Sequence, residues 1–133
     1  MSDSPQQDDT QVRMAPPKRK GFSRLIAAGI NSLQGLKATF GSEEAFRLEV
    51  YVLVLSTPFA LWLGDGAIEK VLLIGSVLLL LIIELLNTAV ESVVDRIGPE
   101  FHELSGKAKD IGSAAVLVGM LIVAMTWGML LLN

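Results

Sequence analysis

Ile83-Glu84-Leu85-Leu86-Asn87-Thr88-Ala89-Val90-Glu91-Ser92-Val93-Val94-Asp95 closes an apolar run that begins near Ile68, and residues 71–83 just before it carry no charge. The run is long enough to cross about 30 Å of hydrocarbon as a helix. Its last three turns are interrupted by acids. At 100° per residue, Asn87, Glu91 and Asp95 fall about 60° behind, 20° behind and 20° ahead of Glu84, so the four share one face. The opposite face, with Leu85, Leu86, Ala89 and Val93, is free to meet lipid or another helix. An acid at the centre of a span costs about 2.5–3.5 kcal/mol on insertion scales, so a carboxyl there requires a reason. Asn87 alone would be explained as interhelical glue; two Glu and an Asn on one stripe point to a functional site. From these residues alone it serves a proton- or cation-translocating protein as well as an enzyme.

The rest of the chain repeats the pattern. Its 133 residues are 51% hydrophobic and 19% charged, and residues 50–64 and 111–133 also lack any charged side chain. Disorder is excluded over most of the length, because disorder requires low hydrophobicity. A single water-soluble core is excluded too, since three long apolar blocks leave too little polar surface to cover them. With no Cys and one His, disulfides, zinc ribbons and His-rich metal sites are excluded as well. The expected class is an all-α membrane protein. The expected spans run from about residue 45 to 63, 68 to 94 and 112 to 132, with a short turn at Gly64-Asp65-Gly66 and a stop at Gly98-Pro99. Arg47 and Glu49 are tolerated in the first because they lie near its start, where charged heads reach the interface. Pro58 is acceptable in a membrane helix if a neighbour satisfies the freed carbonyl.

Lys and Arg are concentrated at residues 1–47 and 95–110, with only Lys70 between the first two spans and none after the third. By the positive-inside rule the N-terminus is cytoplasmic and the C-terminus periplasmic. No apolar h-region precedes residue 22, so no secretory signal is expected. Residues 1–20 read as a flexible polar tail, followed by a membrane domain over 21–133. Within it, Phe22, Leu25, Ile26, Gly29, Leu33, Leu36 and Phe40 form one stripe of a helix over 22–40. Residues 10–42 hold six basic side chains and no acidic one, which suits an amphipathic helix lying on an anionic leaflet. Packing of the same stripe on the protein's own spans is the alternative.

Counting about 1.5 Å per residue from Ile68, Glu84 lies roughly 24 Å and Glu91 roughly 34 Å into the helix. Glu84 is then just inside the cytoplasmic leaflet, as a partly desolvated candidate base, and Glu91 is at the water boundary. Glu91 suits a divalent cation, with Glu43 or Glu44 supplying a second carboxylate from the start of the first span. Hard oxygen donors without neighbouring His or Cys favour Mg²⁺ over zinc. Residues 95–110 read as a loop with a turn at Ser105-Gly106. They crowd Arg96, Glu100, His102, Glu103, Lys107, Lys109 and Asp110 together, able to meet phosphates, metal or ribose, or to form a merely solvated surface. No Walker-type or protein-kinase glycine loop is present, and no aromatic platform accompanies the basic residues, so nucleic acid is not an expected partner.

The run from Glu84 to Gly98, joined to His102-Glu-Leu-Ser-Gly-Lys-Ala-Lys109-Asp110-Ile-Gly-Ser-Ala-Ala-Val and preceded by Glu43-Glu-Ala-Phe-Arg47 and Gly21-Phe-Ser-Arg24, closely resembles the prokaryotic diacylglycerol kinases. The resemblance covers about residues 21–132. It implies a homotrimeric lipid kinase of the bacterial inner membrane, with three spans and one surface helix per chain. Such enzymes transfer the γ-phosphoryl of MgATP to diacylglycerol, giving phosphatidic acid. By the same resemblance Glu84 is the general base, and Glu43 and Glu91 hold Mg²⁺ and ATP phosphates. Arg24, Asn31, Glu100, His102, Lys109 and Asp110 fall among the nucleotide contacts; Arg47, Asn87 and Ser113, with Glu84, line or support the lipid site. Asn31 stands where relatives commonly carry an aromatic residue, and Leu33 replaces another aromatic nearby.

Direct in-line transfer without a phosphoenzyme is the expected mechanism. Three spans can hardly enclose such a site, so an oligomer is expected, with Gly112, Ser113, Ala114, Ala115 and Gly119 allowing close helix approach. Two rivals stay open: a sister branch that phosphorylates undecaprenol, and a small ion- or proton-coupled membrane protein using the same Glu stripe.

Overall fold

The computed structural model describes residues 20–98, 100 and 102–132. The expected tail therefore lies outside the described residues, save Lys20. Every element is helical: α1 (Phe22–Ser42), α2 (Glu44–Leu63), α3 (Ala67–Ile97) and α4 (Glu103–Leu131). The last three are each long and apolar enough to cross a membrane. The chain forms two units, the first ending at Gln34 and the second beginning at Gly35.

In the first unit, α1 starts after Gly21, whose φ of 66° is a backbone conformation that favours glycine. Its stripe residues Phe22, Leu25, Ile26 and Leu33 form an exposed apolar face.

In the second unit, α3 is the centre and packs on α2 and on α4. Its buried residues are Leu73, Ser76, Val77, Leu80, Leu81 and Glu84, a run with spacings of three and four that marks one side of the helix. α2 contributes Phe46 and Ala60 to the core, and α4 contributes Gly119. At Gly119 the helices approach so closely that a Cβ would stand 2.9 Å from Leu80 Cδ1 and 3.0 Å from Ile83 Cδ1. Farther along, the Trp127 indole N–H donates to the Leu73 carbonyl at 3.1 Å, tying the helices by a polar contact. Most other large apolar side chains of these helices point outward, Trp62 and Ile68 among the most exposed. Such surface is unsustainable in water and suits hydrocarbon or further chains.

The helix ends follow from local chemistry. The end of α1 is satisfied by Arg47, whose guanidinium donates to the Phe40 and Gly41 carbonyls at 3.1 Å each, while Phe40 and Tyr51 meet edge to face. Between α2 and α3, Gly64 is needed for closeness: a Cβ there would fall 2.8 Å from Lys70 Cγ and 3.0 Å from the Ala60 carbonyl. Glu69 reaches back to accept from the Asp65 N–H at 2.9 Å. α2 continues through Pro58, and just before it Thr57 Oγ1 donates to the Leu53 carbonyl at 2.6 Å.

One expectation is corrected. Residues 95–110 are not a loop: α3 continues to Ile97 and α4 begins at Glu103, so Ser105 and Gly106 lie inside a helix. His102 makes that start possible, its Nδ1 accepting from the Leu104 N–H at 3.2 Å. Once capped, the helix runs unbroken into its apolar stretch, and cooperativity outweighs the roughly 1 kcal/mol that Gly106 costs.

Candidate functional site

The buried side of α3 ends in a carboxyl. Glu84 is 5% exposed and continues the row set by Leu73, Val77 and Leu80. The carboxyls of Glu43 and Glu91 lie within Coulombic reach of it. Glu43 stands at the break between α1 and α2, in extended backbone, and accepts at Oε1 from Ser42 Oγ at 3.1 Å. Glu91, one turn beyond Asn87, accepts at Oε1 from Asn87 Nδ2 at 3.2 Å. The Asn87 amide oxygen is buried without a hydrogen-bond partner among the described residues.

A fourth carboxyl belongs to this group and was not expected there. Glu49 of α2 lies within Coulombic reach of Glu84, and its Oε2 is buried and unpartnered among the described residues. A position near the start of a span is also one where a charge reaches the interface. The signal was the spacing: Phe46 and Ala60, both buried, put Glu49 on the same inward side of α2.

Next along α3, Asp95 forms an ion pair with Lys109 of α4 at 2.5 Å, exposed at both partners. Beside it an open pocket of about 300 Å³ is lined by Val94, Asp95, Gly98, Glu100, His102, Ser105, Gly106 and Lys109. Three of the expected nucleotide contacts, Glu100, His102 and Lys109, thus meet at one place. Nδ1 of His102 is engaged by the Leu104 N–H, so the ring would meet a ligand through Nε2. Asp110 and Ser113 follow on α4, both exposed. Arg24 and Asn31 are exposed residues of α1 in the first unit. Arg47 donates from Nη1 to the α1 carbonyls.

No three His, Asp or Glu side chains among the described residues gather into a closed metal-binding group. Glu43 and Glu91 nonetheless fit a hard cation, each with only one oxygen engaged. A Mg²⁺ ion keeps several waters and is commonly held by one or two carboxylates together with substrate phosphates.

Comparisons with known proteins bear on the family of the chain. The family model described as prokaryotic diacylglycerol kinase matches residues 30–131. The diacylglycerol kinase of Escherichia coli (strain K12) is 52% identical over 111 residues, covering 84% of this chain and 91% of that one. The diacylglycerol kinase of Haemophilus influenzae is 51% identical over 84% of this chain and 94% of its own length. That of Pseudomonas aeruginosa is 44% identical over 85% and 92%. A family model over most of the chain and relatives matched at this identity over nearly their whole length leave one assignment: the chain belongs to the prokaryotic diacylglycerol kinase family.

Proposed function

We propose that the protein phosphorylates diacylglycerol at its primary hydroxyl, with ATP as phosphoryl donor, giving phosphatidic acid at the cytoplasmic face of the bacterial inner membrane. The observation that carries this reading is the order of groups along α3. A buried carboxyl, Glu84, is followed by half-buried Glu91 and then by the exposed Asp95–Lys109 pair beside an open pocket that Glu100 and His102 also line. A lipid hydroxyl resides at the interface and ATP in water, and this order from buried to exposed suits a reaction between them.

Phosphoryl transfer is mainly positioning and charge stabilisation. Glu84 accepts the proton of the lipid hydroxyl as its oxygen attacks the γ-phosphorus, and ADP leaves from the opposite side. Lys109 turns from Asp95 to the phosphates and offsets their charge. His102 and Glu100 line the nucleotide pocket, and Asp110 follows Lys109 on α4; Arg24 and Asn31 are further nucleotide contacts by family resemblance. Asn87, Arg47 and Ser113 support the lipid side. Glu43 and Glu91 would hold Mg²⁺, which when bound neutralises phosphate charge. The pocket is open, and α4 packs on α3 on one side only, with Leu117, Leu121 and Met125 exposed on the rest. A homotrimer supplies the missing walls, with the N-terminus cytoplasmic and the C-terminus periplasmic.

The test is label transfer by the purified protein in mixed micelles, from γ-labelled ATP with Mg²⁺ to diacylglycerol or undecaprenol. Labelled phosphatidic acid is expected. Label in undecaprenol alone would reassign the substrate, and no labelled lipid would end the kinase reading. A labelled phosphoprotein on the reaction path would replace direct transfer by a two-step route.

A further inference from the structure

Two glycines of α4, Gly112 and Gly119, touch α3 two turns apart, and they touch it differently. A Cβ on Gly119 would meet the flexible apolar tips of Leu80 and Ile83. A Cβ on Gly112 would overlap Asn87 Oδ1 and stand 3.2 Å from Asn87 Cγ. That oxygen is the buried acceptor without a partner among the described residues, while the nitrogen of the same amide donates to Glu91. A buried oxygen left unpaired costs about 1–3 kcal/mol, so its own hydrogen bonding does not hold it there. Turning the amide over would set an oxygen against the Glu91 carboxylate. The amide is therefore fixed by the carboxylate on one side and by the space beside Gly112 on the other.

We propose that Gly112 is a positioning residue of the phosphoryl-transfer site: its missing side chain makes the slot that receives Asn87 Oδ1 and so keeps Asn87 Nδ2 on Glu91. Pinned at Oε1, the carboxylate presents Oε2 to a divalent cation. The inference rests on the reading of Glu91 as a metal ligand, and the experiment separates the two.

Mn²⁺ binding is measured by electron paramagnetic resonance on the full-length protein with a non-hydrolysable ATP analogue, alongside thermal unfolding and the side-chain amide NMR signal of Asn87. Groups that orient a metal ligand typically carry 10–100-fold in metal affinity, so Gly112→Ala weakens Mn²⁺ binding at least tenfold. Gly119→Ala, with its methyl against Leu80 and Ile83, changes unfolding and leaves Mn²⁺ affinity within about twofold. Asn87→Ala matches the loss in Gly112→Ala, and the double variant, which has room for the methyl, loses no more than either alone because both act through one amide. The double variant keeps the test open should Gly112→Ala fold poorly. Additive losses, or wild-type affinity in Gly112→Ala while Glu91→Gln binds weakly, would overturn the inference. Wild-type affinity in Glu91→Gln would instead remove the metal reading. The amide signal then decides alone: it shifts in Gly112→Ala and Glu91→Gln and not in Gly119→Ala, or Gly112 positions nothing.

Discussion

The two halves of α3 belong to one continuous helix and do opposite things with their inward side. From Leu73 to Leu81 every need is met inside the chain: apolar side chains interlock with α2 and α4, Ser76 bonds to the Leu73 carbonyl at 2.9 Å, and Trp127 closes onto that carbonyl. From Glu84 to Asp95 the same side presents a buried carboxyl, an amide with a stranded oxygen and an exposed ion pair. The first half accounts for why the helices stay together. The second accounts for what they are held together to do, since unmet polar groups persist where a substrate or ion completes them.

Substitutions can break this division, and the largest effect belongs to the polar half. Glu84→Gln keeps the shape of the side chain and removes the base, so turnover falls by about 10²–10⁴-fold, the usual share of general base catalysis. Leu73→Ala empties a fully buried position and lowers unfolding stability by about 2–5 kcal/mol, read by denaturation in micelles. Activity per folded molecule stays at the wild-type level; a matching loss of turnover in the folded fraction would merge the two halves. Trp127→Phe deletes one interhelical hydrogen bond and costs about 1 kcal/mol. Smallest is Asp95→Asn: an exposed pair contributes about 0.2–1 kcal/mol, so its unfolding midpoint hardly moves. A large loss of stability there would place structural weight in the half assigned to chemistry.

Much of this was legible in the sequence. The three apolar blocks, the Gly64-Asp65-Gly66 turn and the shared face of Glu84, Asn87, Glu91 and Asp95 follow from hydropathy and helical period alone. The polar first turns of α4 were not, because a hydropathy reading stops where a helix leaves its apolar stretch, and Ser105-Gly106 imitates a turn. What kept them helical was a cap, His102, that only its bond to the Leu104 N–H reveals. The inward placement of Glu49 is not legible either, because a charge near the start of a span is equally compatible with the interface, and only the packing of α2 on α3 sets which side is buried. The Gly112–Asn87 contact lies between residues 25 positions apart in the chain. No spacing rule within one helix reports a fit made across two.

The division of α3 is tested most directly by single-turnover label transfer from γ-labelled ATP to diacylglycerol, measured with thermal unfolding on Glu84→Gln and Leu73→Ala. The account predicts that Glu84→Gln loses transfer by at least about 10²-fold and unfolds no earlier than the wild type, while Leu73→Ala unfolds earlier and transfers label normally when folded. Wild-type transfer by Glu84→Gln would contradict it.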